Sequence, residues 1–179
     1  MPYFTPVQMG GVVYPLDHLE PFTFDFHSER AKRNLRVHVT YSNHCYTKKY
    51  DPVATTGWPT LLDARRQMRV FCPVRYRLSH GLPAHIAALN NPGVRVWETA
   101  RERNWCHTLR VESIPDPYYV FFDLARATAA LRHRQELRLT VESAYPQGSS
   151  TTWPRLNGSM AFQLLCGKVF LGERTHTRR

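Results

Sequence analysis

The sequence predicts an α+β fold, an antiparallel twisted sheet of about five strands with helices packed on one face. Three observations predict it. Leu35, Val37, Val39 and Tyr41 alternate with Arg36, His38, Thr40 and Ser42, the period of a half-buried strand with one solvated face. Between Val94 and Tyr145, four more stretches rich in β-branched and aromatic residues are separated by short polar turns. Two stretches, Pro73–Leu89 and Ser159–Leu171, instead repeat apolar residues every three or four positions, as a helix face does. Sheet and helices segregated along the chain give α+β rather than an alternating α/β order.

Residues 1–21, with Pro2, Pro6, Pro15 and Gly10-Gly11, read as an irregular arm, and residues 22–172 as a single domain. Phe22, Phe24 and Phe26 alternate with Thr23 and Asp25 and make a first strand; Leu35–Tyr41 makes the second. The polar run Ser42–Asp51 follows, in which Ser42-Asn43-His44 reads as a turn with Asn43 left-handed. Pro52–Pro59 is a loop and Arg69–Phe71 a short strand. Pro73 suits the first turn of a helix, and Gly81 with Pro83 either interrupts that helix or divides it into two. Asn90-Asn91-Pro92-Gly93 stops it. The strands Val94–Thr99, Cys106–Ile114, Tyr118–Ala127 and Leu137–Tyr145 follow, with a tight turn at Asp116-Pro117 and a loop at Thr128–Gln135. Ser159–Leu171 closes the domain as an amphipathic helix, and residues 173–179 form a basic tail.

Charge narrows the partners. The 24 Lys+Arg outnumber 14 Asp+Glu, for a formal +10 over 179 residues, and 20 of the 24 are Arg. Codon usage alone can raise the Arg share, but it does not raise net charge. A guanidinium pairs bidentately with phosphate and stacks on bases, so a nucleic acid, RNA first, is the expected partner. The segment Thr60–Arg110 carries nine Arg against Asp63, Glu98 and Glu102. Arg65, Arg66, Arg69, Arg75, Arg101 and Arg103 are its candidate nucleic-acid-binding residues. Trp97 and Trp105 flank the last two and offer stacking surfaces. No apolar run approaches bilayer length and no secretory leader is evident, so a cytoplasmic protein without a membrane partner is expected.

Cys45, Cys72, Cys106 and Cys166 show no C-x-x-C spacing, so free thiols are expected. The adjacent pairs His44-Cys45 and Cys106-His107 would point to opposite faces of a strand, a poor zinc geometry, so no metal and no cofactor is expected. G-x-S-x-G, H-E-x-x-H and a phosphate-cradling glycine loop are missing, which removes support for serine-hydrolase, zincin and nucleotide-dependent classes.

Strand parity points to a candidate site. Leu109 and Val111 share one parity in Cys106–Ile114, leaving Arg110 and Glu112 on the other; Leu139 and Val141 likewise leave Arg138 and Glu142 outward. With His38, the solvated face would hold the groups that metal-free RNA cleavage needs. A base (Glu112 or His38) takes the 2′-OH proton, an acid (His38 or His107) protonates the 5′-oxygen, and Arg110 and Arg138 stabilise the phosphorane. Arg opposite Glu is also an ordinary cross-strand pair on any solvated sheet face. The helix, the antiparallel meander and the string Val141–Gln147, "VESAYPQ", resemble the barnase/RelE/EndoU-type, toxin-like ribonuclease fold over Pro73–Gln147. That resemblance implies that Ser143 and Tyr145 join the site. Their parity, continuing that of Leu139 and Val141, would turn them to the helices unless the strand bulges. The alternative is a non-catalytic phage- or defence-type adaptor that grips nucleic acid or an acidic protein partner.

Overall fold

The computed structural model describes residues 1–100, 104–148 and 153–177. Val7–Met9 (β1) and Val12–Tyr14 (β2) form a small antiparallel hairpin in the stretch read as an irregular arm. Gly10 and Gly11, with φ of 58° and 77°, make the two-residue turn whose backbone twist suits a tight hairpin. Phe22–Ser28 (β3) and Arg33–Tyr41 (β4) form the next hairpin, in the register their alternation predicts. Thr47–Lys49 (β5), Thr60–Leu62 (β6) and Met68–Phe71 (β7) build a separate three-stranded sheet in the order β5-β7-β6. Pro73–Ser79 (α1) and Leu82–Ala88 (α2) are two helices, since Gly81 and Pro83 interrupt the backbone ladder between them.

Arg95–Thr99 (β8), Trp105–Leu109 (β9), Tyr118–Arg126 (β10), Leu137–Pro146 (β11) and Leu156–Ala161 (β12) complete the main sheet, and Phe162–Leu171 (α3) closes the chain. The sheet has seven strands in the order β12-β8-β9-β10-β11-β4-β3. It is mixed rather than antiparallel, because β4 and β11 run parallel, pairing Val37 with Leu137 through Tyr41 with Val141. Two antiparallel hairpins meet there side by side. Alternation fixes which face of a strand is buried but leaves its direction open, so this pairing is invisible in the pattern.

Two more expectations are corrected. The stretch Ser159–Leu171 is not one helix: residues 156–161 are an edge strand on β8, and Phe162 N–H, donating to Val94 O at 2.9 Å, marks the switch to helix. The strand Cys106–Ile114 stops at Leu109, because Leu109 pairs with Tyr118 and leaves residues 110–117 to the connecting turn.

The three helices cover one face. Val37, Val39, Val120, Phe122, Leu139 and Val141 from the sheet meet Leu82, Ile86, Phe162 and Leu165 in a single buried cluster. Helix α3 approaches the β3–β4 turn closely at Gly167, where an added Cβ would lie 2.6 Å from Arg30 Cβ. The Arg30–Glu173 ion pair, at 2.8 Å, clamps the same contact. No helix is long and apolar enough to cross a membrane among the described residues. All four cysteines are free.

Candidate functional site

The structure distributes the predicted catalytic set over several locations. His38 and Arg138 are direct partners across the parallel pair, with Thr40 and Thr140 bonded hydroxyl to hydroxyl at 3.2 Å two residues on. Thr23 Oγ1 shares a hydrogen bond with His38 Nδ1 from the other side, at 3.1 Å. Arg110 and Glu112 are exposed on the turn after β9, off the sheet face expected for them. His107 lies opposite buried Val120 and so belongs to the helix-covered face. Burial holds its pKa below the usual histidine range, opposed by its hydrogen bond to Arg95 O and reinforced by nearby His85. Arg101 and Arg103 lie outside the described residues. Trp105 is core, while Trp97 pairs with Cys106 and shares the solvated face.

Ser143 and Tyr145 are rescued by a bulge. The register of β11 against β10 passes from Phe122↔Val141 to Phe121↔Ser143, leaving Glu142 as the extra residue. Beyond it the parity inverts. Leu137, Leu139 and Val141 point to the core, yet Ser143 and Tyr145 share the face of Phe121 and Tyr119. Tyr145 stacks on Phe121 with centroids 5.4 Å apart, and Tyr119 reaches both Tyr145 and exposed Trp153 at 6.3 Å.

The same inversion brings Tyr145 to the arginines of the second predicted set. Past Tyr41 the strand edge of β11 is met by a 3-10 turn, Asn43–Cys45. Ser42 ties this turn down: its Oγ donates to Glu142 O at 2.6 Å and accepts from His44 N–H at 3.1 Å. Asn43 is not left-handed there; the only non-glycine residues with positive φ are Lys32 and Arg66 among the described residues. Helix α1 packs over the turn and lays the Arg75 guanidinium 5.0 Å from the Tyr145 ring centroid. Arg75 Nη1 donates to His44 O at 3.1 Å and Thr47 O at 2.9 Å. Arg69, on β7, donates through Nε to Thr47 Oγ1 at 2.9 Å. Burial depresses the pKa of both guanidiniums. Neither has a carboxylate within 4 Å among the described residues.

His44 faces the same cluster. Its Nε2 lies 3.0 Å from Asp63 Oδ2, so Nε2–H donates to the carboxylate and Nδ1 keeps its lone pair. No partner meets Nδ1 among the described residues, and the side chain is 32% exposed. Burial lowers the His44 pKa, aided by Arg69 and Arg75 and opposed by Asp63. Asp63 is itself held low, first by the backbone N–H of Gln67. Its Oδ1 accepts from Arg65 N–H and Gln67 N–H at 2.9 and 2.8 Å, which shapes the β6–β7 turn and presents Arg65 and Arg66 at its tip. Arg66 takes a φ of 60°. Buried Cys45, its thiol pushed up to about 12, is no nucleophile at neutral pH. No three His, Cys, Asp or Glu side chains gather as a metal-ligand set among the described residues.

Of this cluster, Tyr145, Arg69 and Arg75 were among the residues expected from the sequence, while His44 and Asp63 were not. The two are nineteen residues apart, and only the pairing of β5 with β7 and β7 with β6 brings them together. Ser42, which caps the turn two residues before His44, is the one local signal.

This is a sheet-rich α+β domain with a cationic, aromatic-lined end beside the carboxyl termini of its two parallel strands. The chain belongs to the YjaZ family, whose model it matches over residues 6–170. No curated protein and no solved structure matches it significantly.

Proposed function

We propose that the chain contacts RNA through the Arg75 end of the sheet and cleaves it there without a metal, by attack of the 2′-OH. The observation that carries this reading is Arg75 itself. A desolvated guanidinium is costly unless something offsets its charge, and here, among the described residues, it donates only to neutral carbonyls while resting on an aromatic ring. Arg69 adds a second such cation beside it. A phosphodiester answers both: guanidiniums hold its oxygens, and the neighbouring Phe121–Tyr145 stack offers π-faces to bases. Lys48, Lys49, Arg65 and Arg66 extend the positive surface.

In this reading His44 is the general base. Asp63 fixes its tautomer, the open Nδ1 takes the 2′-OH proton, and the 2′-oxygen attacks phosphorus. The 5′-oxygen leaves with a proton from solvent, and a 2′,3′-cyclic phosphate remains. Incubation of labelled RNA with the protein in EDTA tests this. Cyclic-phosphate ends made by the wild type and lost in His44→Ala are expected; cleavage that persists in His44→Ala would put the chemistry elsewhere.

A second reading keeps the grip and drops the chemistry. Arg110 and Glu112 stand on an exposed turn while His107 faces the core, so the acid–base set expected around His38 does not converge. This favours a non-catalytic adaptor for nucleic acid. Tight RNA binding with no cleavage of any RNA would establish it.

A further inference from the structure

A cleft of about 140 Å³ opens at the far end of the parallel pair, lined by Arg33, Arg126, Arg132, Glu136 and Phe170. It lies beside the start of β4 and β11, whereas His44 follows the end of β4 and Tyr145 lies at the end of β11. Nothing about it depends on the function proposed above.

The charges there are unbalanced. Glu136 is the one acid of the cleft, and Arg36 already answers it with a two-pronged grip, Nε to Oε2 and Nη2 to Oε1, both at 3.0 Å, while the Arg36 backbone N–H adds a bond at 2.8 Å. Arg33 reaches the same carboxylate only at 3.4 Å. That leaves Arg126 and Arg132 without a carboxylate within 4 Å among the described residues. Arg132 Nε donates to Ala127 O at 3.4 Å, and Arg126 donates to no acceptor among the described residues.

The arginines are also held in place. The guanidinium carbons of Arg33 and Arg126 lie 5.3 and 5.1 Å from the same ring centroid, that of Phe170 at the end of α3. Stacking a guanidinium on a ring fixes its plane but leaves its N–H donors in that plane free for an oxyanion. A flat carboxylate engages one such fork. A tetrahedral dianion can accept from several forks that converge from different directions, and its charge suits the surplus. The cleft has room for one such group with a few waters.

We infer that this cleft is a binding site for a tetrahedral phosphate-class dianion, held by Arg126 and Arg132 with Arg33 and based on Phe170. Titration of the whole protein with inorganic phosphate by calorimetry at low ionic strength, against chloride at matched ionic strength, tests it. Saturable phosphate binding that survives Arg69→Gln, and that weakens at least tenfold in the double variant Arg126→Gln/Arg132→Gln, is expected. Both arginines are exposed, and an unchanged thermal midpoint confirms that the double variant is folded. Equal affinity in the wild type and the double variant, or phosphate binding no better than chloride, overturns the assignment. Phenyl phosphate distinguishes the sources of this chemistry: effective competition identifies a phosphomonoester head, and failure to compete identifies the free ion.

Discussion

At the scale of single residues, His44 and Arg66 make contrasting tests. If His44 is the base, His44→Ala should lower the cleavage rate about 10²–10⁴-fold, the usual loss for a positioned acid or base, with RNA affinity nearly unchanged. Its pH profile follows from the direction of its shift. Burial and two arginines favour the neutral ring, so the folded pKa lies below the ordinary 6.5. A base works when unprotonated, so activity should hold at pH 6.5 and fall only at lower pH, which a rate–pH series would show. Arg66 carries a left-handed backbone at a hairpin tip. Glycine tolerates that conformation freely, so Arg66→Gly should stabilise the fold by up to about 1 kcal/mol, offset in part by a more flexible unfolded chain. The same change should flatten the salt dependence of RNA binding by about one phosphate contact. A thermal melt and a binding series at several salt concentrations read both effects from one variant.

At the scale of elements, the bulge at Glu142 decides what β11 presents. Deleting Glu142 would restore simple alternation, take Tyr145 off the face it shares with Phe121 and break its present contact with the Arg75 guanidinium, turning the ring into the buried cluster. RNA affinity should fall about tenfold or more, and the thermal midpoint should drop, because a phenol and a hydroxyl would then enter the core. Helix α1 offers a second test. His18 Nε2 bonds Ser79 Oγ at 2.7 Å; since Ser79 donates to Tyr76 O, the ring must donate to Ser79. His18 also stacks on His80 at 3.8 Å. Burial, then the charge of His80, lowers the His18 pKa to about 4 from 6.5. The unfolded chain therefore takes this proton first, and the stability is present above pH 6.5 and lost as pH falls toward 4. Melts from pH 7 to 4 should show a steeper loss in the wild type than in His18→Gln. These elements also show what was legible in the sequence. The alternation of β3, β4 and most of β11 and the strand character of β10 could be read directly, whereas Gly81 with Pro83 marked a break without deciding between one interrupted helix and the two that form. The bulge entered only as the condition for Ser143 and Tyr145 to leave the helix face, since nothing in the string Val141–Tyr145 marks Glu142 as the extra residue. The β1–β2 hairpin was marked by Gly10-Gly11 between valine-rich ends, but the prolines around it masked the signal. His44 with Asp63, and the three arginines around Phe170, needed tertiary structure because their partners lie far apart in sequence.

At the scale of the whole molecule, the net +10 sets how any polyanion is held. Binding through several arginines should lose orders of magnitude in affinity between about 50 and 200 mM salt, as displaced counterions are recovered by the polymer. Filter binding across that range checks it, and affinity indifferent to salt would point to an acidic protein surface of fixed shape instead. The parallel junction of β4 and β11 has a consequence in time rather than in space. Thr40 and Thr140, neighbours in the finished sheet, are made one hundred residues apart. At the usual pace of translation that is a delay of about 5–20 s. Throughout it, the β3–β4 hairpin waits on the ribosome with a bare edge, its buried parity of Leu35, Val37, Val39 and Tyr41 still uncovered. Arg33 and Arg36 sit on that waiting strand, where charge discourages pairing with a neighbouring nascent chain. A nascent protein arrested before Leu137 should therefore be insoluble or held by a chaperone, and solubility should return once synthesis passes Pro146.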